Sequence, residues 1–251
     1  MTPWRVAPNS GFEVDDAHGE VGLIQIDRTQ FRVDRAFRFT DPAVTEKMVK
    51  RLTDNGHTPE DARKRVDDAR TFTPNDENPT DLASVPRYMR WFETAYGLHT
   101  LAAILHDNLI VDQSDGGVLQ SDTMSDHFFR KMLKAVGVGW LKRWIMWAAT
   151  ALRSRWAAGG KRRASIVLWL LLALSGLVLA TTATLTGHPF VLLAALTLPL
   201  AASALWGRQY GAGLVASAAA PWILPPAILA GIGYLIYSVL EWVARTLKLN
   251  T

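Results

Sequence analysis

The chain has 251 residues, enough for one or two domains, and 49% of them are hydrophobic while 20% are charged. It contains no cysteine, which excludes disulfide bonds and thiolate metal sites. The first sixteen residues contain no apolar stretch, so no cleavable signal peptide is predicted. The charges are segregated along the chain, and this argues against a single soluble domain.

Three regions of different charge follow one another. Residues 1–126 hold 22 of the 23 acidic residues against 14 Lys and Arg, a net charge of −8. Residues 127–163 hold ten Lys and Arg and no acidic residue, and 164–251 hold only four charged residues. Because the basic region borders an apolar tail, we expect the lipid bilayer as a partner and no nucleic acid.

The first 71 residues predict strands followed by helices. Alternating polar and apolar residues at 21–27 and 30–39 favour two strands. A helical insert then covers about 42–71, with one helix at about 42–54, closed by Asn55-Gly56, and a second at about 59–71, capped by Thr58. The dense charges of this insert indicate a solvated helical pair.

A stiff loop and two further helices follow the insert. The segment Thr80-Asp81-Leu82-Ala83-Ser84-Val85-Pro86 lies between two prolines and carries one carboxylate. Helices are predicted at about 94–110 and 122–135, joined by a turn-rich loop. If the chain folds back at the middle of that loop, residues equally distant from it lie opposite each other, and His106 lies opposite about residue 125. Asp126 can then face His106 across an antiparallel hairpin.

This juxtaposition has two interpretations. A carboxylate that orients a buried imidazole, with Asp107 beside it, can prepare His106 as a general base. A His–Asp pair of the same geometry can equally serve only to stabilise the fold. The spacing alone does not separate the two.

The stretch 140–156 is helical in period, with Trp140, Trp144 and Trp147 on one face. It is interpreted either as a core helix of the first domain or as a helix lying on an anionic membrane surface, where Trp and Lys/Arg both favour the interface. A basic juxtamembrane linker, 151–163, completes this region.

The tail, 164–251, predicts a transmembrane region of two to three spans. Residues 164–207 carry no charge and would extend about 66 Å as one helix, enough for two crossings of a hydrocarbon core of about 30 Å. Spans are predicted at about 165–185, 189–206 and 213–240. The third is interpreted as one long kinked helix, with a short re-entrant piece near 218–226 as the alternative.

The flanking charges predict the orientation. Five Lys and Arg precede the first span within 153–163, and the loop at 186–189 has none. The positive-inside rule therefore predicts a multi-pass protein of the cell (inner) membrane, with the N-terminal domain, 1–150, in the cytoplasm. The predicted fold is thus an α+β, mainly α, soluble domain with an antiparallel helical hairpin, followed by an α-helical membrane tail.

Three motifs in this order resemble a known family. Thr80-Asp81-x-Ala83-Ser84-Val85-Pro86, then His106-Asp107, then Asp122-x-x-x-Asp126-x-x-Phe129 resemble the domain of unknown function number 1353, found in phages and bacteria. The resemblance covers about 20–150 and implies no activity.

A more distant similarity implies chemistry. The phospholipases of the A2 class, above all their short prokaryotic branch, also order an Asp-containing loop, a His-Asp pair on a helix and an Asp on an antiparallel helix. This similarity implies His106 as the base, Asp126 as the group that orients it, and Asp81, Asp107 and the backbone carbonyl of Leu82 as ligands of Ca²⁺. Calcium favours such oxygen ligands and would stabilise an oxyanion.

Three functions are therefore considered. The first is a membrane-anchored hydrolase acting on phospholipid esters at the inner leaflet. The alternative is a non-catalytic phage or prophage membrane protein that binds a partner or modifies the envelope. The third is a metal phosphohydrolase that uses His57 together with His106, Asp107 and Asp126.

Overall fold

A computed structural model of the chain describes two compact units, one from 1–84 and 95–164 and the other from 85–94 and 165–251. The protein is mainly helical with a few short antiparallel strands. The structure describes residues 4–5, 11–27, 30–74, 79–80, 85, 87–94, 97–111, 119 and 122–247.

Short strands open the first unit and all of their pairings are antiparallel. The strands are β1 (Trp4–Arg5), β2 (Phe12–Val14), β3 (Glu20–Val21), β4 (Leu23–Gln25), β5 (Phe31–Val33), β6 (Phe37–Phe39) and β7 (Thr71–Phe72). β2, β6 and β7 form a three-stranded sheet with β6 in the middle, while β4 pairs with β5 and β1 with β3. The two predicted strands are thus each divided, and the side chain of Asp34 accepts the N–H of Gly22 at the division.

Five helices lie in the described part of the first unit. They are α1 (Pro42–Asp54), α2 (Pro59–Ala69), α3 (Thr100–Val111), α4 (Asp122–Ala135) and α5 (Trp140–Ala157). The predicted Thr58 cap is confirmed, since its hydroxyl accepts the N–H of Asp61 at 3.2 Å. Two predicted bounds were wrong: α2 ends at Ala69 because Thr71 pairs with β6, and α3 begins six residues later than expected.

The core of the first unit lies between the three-stranded sheet and the helices. The rings of Phe37 and Phe72 stack at 4.9 Å between centroids, and Phe39 meets Phe128 of α4 edge-on at 5.7 Å. The helical insert is not a solvated pair, because α1 and α2 each bury one apolar face in this core, with Met48 and Val66 almost inaccessible.

The second unit contains the apolar helices. These are α6 (Gly160–Thr186), which begins in the first unit, α7 (Pro189–Ala202), a 3-10 segment (Ser203–Gln209) and α8 (Tyr210–Thr246). Gly187, at a φ of 71°, separates α6 from α7 where the sequence predicted a break. α8 is continuous through its three prolines, so the re-entrant alternative is wrong. Within the described residues, two helical stretches are long and apolar enough to cross a membrane, Gly160–Thr186 and Pro189–Thr246.

Polar and small residues tie these helices together. The indole N–H of Trp169 donates to the Ser217 hydroxyl at 2.9 Å, and that hydroxyl donates to the carbonyl of Pro199 at 2.7 Å. The three helices α6, α7 and α8 are thereby joined by one chain of buried hydrogen bonds. Such bonds and close contacts hold apolar helices together where lipid removes the hydrophobic driving force.

Candidate functional site

The candidate site lies on α3, α4 and α5 of the first unit. α3 is apolar nearly all round, with Leu101, Ile104, Leu105 and Leu109 buried, and this places it inside the core rather than on its surface. His106 and Asp107 follow Leu105 on this central helix. α4 packs beside α3 and carries Asp126, so the hairpin arrangement brings the two chain segments together.

The predicted contact between His106 and Asp126 is confirmed. Nε2 of His106 lies 2.9 Å from Oδ1 of Asp126. Only 3% of His106 is exposed and Asp126 is fully buried. An ionised carboxylate can only accept, so Nε2 carries the proton and Nδ1 is the ring nitrogen left to act as a base.

A serine from α5 joins this pair. The Ser154 hydroxyl lies 3.1 Å from Oδ1 of Asp126 and 3.0 Å from the carbonyl oxygen of Thr150. Because the hydroxyl has one proton, the two acceptors compete for it or share it. The carboxylate of Asp126 therefore has a second donor within the core, which lowers the cost of burying it.

Asp107 lies on the other side of the imidazole and is the more accessible of the two carboxylates. Its Oδ1 is 3.9 Å from Nδ1 of His106, an ion-pair separation that exceeds a hydrogen bond, and its side chain is 28% exposed. Burial lowers the pKa of His106, but the carboxylates of Asp107 and Asp126 raise it by more, so this pKa lies above its ordinary value.

The imidazole also has an aromatic neighbour. The ring of Phe129 lies 4.8 Å from that of His106, between centroids, at a tilt of 40°. Phe129 is one turn beyond Asp126 on α4, so one face of that helix supplies both the carboxylate and the packing surface. This packing fixes the orientation of the imidazole from a second direction.

The predicted calcium ligands are only partly described. Asp81 and Leu82 lie outside the described residues, and Asp107 is the single described member of the set. Among the described residues there is no group of three His, Cys, Asp or Glu that could hold a metal ion. One carboxylate does not make a calcium site, which needs six to eight oxygen ligands, so no chemical step below depends on the metal.

The metal phosphohydrolase hypothesis receives no support from the geometry of the described residues. His57, which it requires, precedes α2 and bonds through Nδ1 to Oδ2 of Asp61 in the first turn of that helix. This pair belongs to the helical insert, and His106 has its own partner on α4.

Sequence reasoning missed the contribution of Ser154. It lies on the face of α5 that also carries Ala148 and Ala151, at the i, i+3, i+6 spacing of one helix side, and all three are buried. That stripe of small residues was the available signal for close packing of α5 on α4.

Comparison with known proteins identifies a family for the central part of the chain. Residues 60–150 match the model of a family described as protein of unknown function (DUF1353). The match includes His106, Asp107, Asp126 and α5 up to Thr150, and it begins later than the expected position 20. No curated protein and no solved structure matches the chain.

Proposed function

We propose that this protein is a membrane-anchored hydrolase of lipid esters in which His106 activates water. The observation that carries the proposal is the 2.9 Å contact between His106 and Asp126. It fixes the proton on Nε2 and leaves the lone pair of Nδ1 as the acceptor. In this scheme Nδ1 takes a proton from water as the water attacks an ester carbonyl, and the imidazolium then protonates the leaving alkoxide.

The side of the site at Asp107 supplies the route for water and substrate. The side chain of Asp107 is partly exposed, whereas Asp126 is enclosed. Nδ1 therefore faces the accessible edge of the hairpin. Bound calcium would stabilise the oxyanion, with Asp107 as one ligand and with Asp81 and the carbonyl of Leu82 as the proposed others.

The proposed anchor consists of the apolar helices. α6 has 27 residues, more than the roughly 20 needed to cross a hydrocarbon core, and Lys161, Arg162 and Arg163 stand at its beginning. By the positive-inside rule these residues, and with them the site, lie on the cytoplasmic side of the cell membrane. A multi-pass arrangement uses Gly187 and Gly207 as the breaks between crossings.

A second function is favoured by a specific observation, the burial of the imidazole. With 3% of His106 exposed and Phe129 against its ring, the pair has the dry packing of a structural element. In that case the protein is not an enzyme, and its hairpin only supports a membrane protein that binds a partner or modifies the envelope.

His106→Gln and His106→Ala separate the two functions. Glutamine can still donate from its amide to Asp126 but cannot act as a base near neutral pH. Catalysis predicts that His106→Gln loses turnover by at least a hundredfold with a nearly unchanged melting temperature. His106→Ala leaves a cavity and an unpaired buried carboxylate, at a cost of about 3 kcal/mol or more.

The assay is phospholipid hydrolysis by full-length protein in detergent micelles, with added calcium in one series and a chelator in the other. The matched control is His188→Gln, an exposed histidine between α6 and α7, which should keep full activity. Turnover should rise with pH through the raised pKa of His106, because only the neutral imidazole accepts a proton. No hydrolysis by the wild type in either series, together with a large loss of stability in His106→Ala, would establish the structural role instead.

A further inference from the structure

A surface formed by α4 and α5 combines cations with exposed apolar side chains. We define this cationic–aromatic surface by Arg130 and Lys131 of α4 and by Trp140, Leu141, Arg143 and Trp144 of α5. Trp140 is 66% exposed and Leu141 is 62% exposed, side by side at the first turn of α5. Large apolar side chains exposed next to cations are typical of interaction sites.

The guanidinium of Arg130 is held in place by two indole rings. Its central carbon lies 4.1 Å from the centroid of the Trp144 ring and 4.6 Å from that of Trp147. The two rings contact each other edge to face, 5.4 Å apart between centroids, and the guanidinium lies in the corner that they form, where it is oriented without being neutralised. Its Nε is buried without a hydrogen-bond partner among the described residues, and its Nη2 donates to Nδ1 of His127 at 3.4 Å. The positive charge of Arg130 is therefore held in place at this surface.

The neighbours of Arg130 add positive charge. Burial and the nearby cations Arg143 and Arg51 lower the pKa of Arg130. Burial and further cations, among them Arg130 and Lys47, likewise lower the pKa of Lys131. Residues 127–163 contain ten Lys and Arg and no acidic residue. The charge of this surface thus complements an anionic partner.

A contact joins the end of α5 to the beginning of α6. The Nε of Arg163 donates to the carbonyl of Trp156 at 3.0 Å, and its guanidinium lies 5.2 Å from the Trp156 ring centroid. Arg163 stands in the first turn of α6, the helix proposed to enter the bilayer. α5 ends at Ala157 and α6 begins at Gly160, so the chain joins this amphipathic helix directly to the proposed anchor, as in helices that lie on a membrane surface beside an anchor.

We propose that the cationic–aromatic surface docks on a bilayer of anionic phospholipids, with Trp140 and Leu141 entering the headgroup region and Arg130, Lys131 and Arg143 pairing with lipid phosphates. A nucleic acid would match the charge but would not account for the exposed Trp–Leu pair, and a soluble acidic protein would not account for the position of α5 directly before the proposed anchor α6 in the chain. The proposal rests on the proposed anchor and is independent of hydrolysis.

The test uses the absence of cysteine, since a single introduced cysteine carries the only label. Full-length Leu141→Cys is labelled with an environment-sensitive fluorophore and reconstituted into nanodiscs of phosphatidylcholine with or without phosphatidylglycerol. Leu171→Cys, exposed on α6, reports the anchor, and Arg63→Cys, exposed on α2, reports water. We expect the Leu141 probe to shift to the blue and to be quenched by spin-labelled lipid only when phosphatidylglycerol is present.

Charge removal supplies the matched comparison. Each cation near an anionic membrane contributes about fivefold to the docking equilibrium, so Lys131→Gln with Arg143→Gln should reduce the docked-to-undocked ratio about thirtyfold. Arg63→Gln with Lys64→Gln removes the same charge from the exposed side of α2 and should leave the ratio unchanged.

Three results would overturn the proposal. If the Leu171 probe lies in lipid while the Leu141 probe resembles the Arg63 probe, the anchor stands and the docking surface is wrong. If the Leu171 probe itself reports water, the anchor fails and the docking proposal fails with it. If the Leu141 probe responds to a soluble oligonucleotide or an acidic peptide but not to phosphatidylglycerol, the surface binds a soluble polyanion instead.

Discussion

At the scale of single residues, the pKa values of two histidines, one on α3 and one on α4, are shifted in opposite directions by their surroundings. His106 has carboxylates near both ring nitrogens, which raise its pKa despite burial. His127 lies among cations, and burial together with Arg51, Arg130 and Lys131 lowers its pKa to about 3. Its Nδ1 lies 3.4 Å from Nη2 of Arg130 and accepts from it, which requires a neutral ring.

The environment of His127 predicts a dependence of stability on pH. In the unfolded chain a histidine has a pKa of about 6.5. As pH falls below that value, the unfolded state therefore binds a proton that the folded state does not bind. The stability associated with the neutral ring is present above about pH 6.5 and is lost as pH falls toward 3. The sign for His106 is the reverse: its raised pKa stabilises the fold below about pH 6.5, and this contribution is lost as pH rises through the folded value.

We therefore expect His127→Gln to have a shallower loss of melting temperature than the wild type between pH 6.5 and 4.5. Thermal unfolding of the two proteins across this range, at constant ionic strength, gives the difference that belongs to His127. Carboxylates titrate in both proteins and cancel in the comparison. If the melting temperatures of the two proteins fall in parallel with pH, His127 is protonated in the folded state as it is in the unfolded chain.

At the scale of elements, close approach decides how the helices of the second unit pack. A Cβ placed on Gly176 of α6 would lie 2.8 Å from the carbonyl oxygen of Ala195 and 2.8 Å from the ring of Pro199, both on α7. That carbonyl belongs to the residue four before a proline, which has no N–H to offer it. The absence of a side chain at Gly176 thus lets α6 approach α7 at the turn where α7 lacks one backbone hydrogen bond.

Gly176→Val should disrupt the contact between α6 and α7 and lower the melting temperature of detergent-solubilised protein by several degrees. The matched control is Gly231→Val in α8, where an added Cβ meets no atom within 4 Å. Both variants make the same chemical change in an apolar helix. Equal melting temperatures for the two would show that α6 and α7 do not pack as described.

At the scale of the whole molecule, the segregation of charge predicts the topology. The chain is acidic before residue 127, basic from 127 to 163 and nearly uncharged afterwards. Membrane insertion holds Lys and Arg on the cytoplasmic side, and the basic stretch lies immediately before α6. The same rule predicts that His188, between α6 and α7, lies on the opposite side.

We expect a cysteine at position 188 to react with a membrane-impermeant maleimide in intact spheroplasts, and one at position 60 to react only after lysis. His188→Cys and Glu60→Cys are each the single cysteine of the chain, so labelling reports one site. The opposite pattern would invert the topology. Release of the full-length protein by alkaline carbonate without detergent would contradict the anchor altogether.

Much of the local structure followed from the sequence, because local rules determined it. The Thr58 cap, the end of α1 at Asn55-Gly56 and the break at Gly187 each depend on a few neighbouring residues. The contact of His106 with Asp126 was also predictable, because two helices joined by a short loop place mirrored positions opposite each other. The division of the long strands was not predictable, since it depends on which strand each half pairs with.

The sequence by itself determined the charge segregation, the apolar length of the tail and the pairing of His106 with Asp126, since these depend on composition and on spacing along the chain. Only the tertiary structure decided what surrounds the pair. Ser154, 28 residues further along the chain, bonds to Asp126, and the Trp144 and Trp147 rings of α5 both contact the guanidinium of Arg130 on α4. Such contacts depend on the angle and rotation at which helices pack, and helical periodicity indicates which face is buried but not which residue it meets.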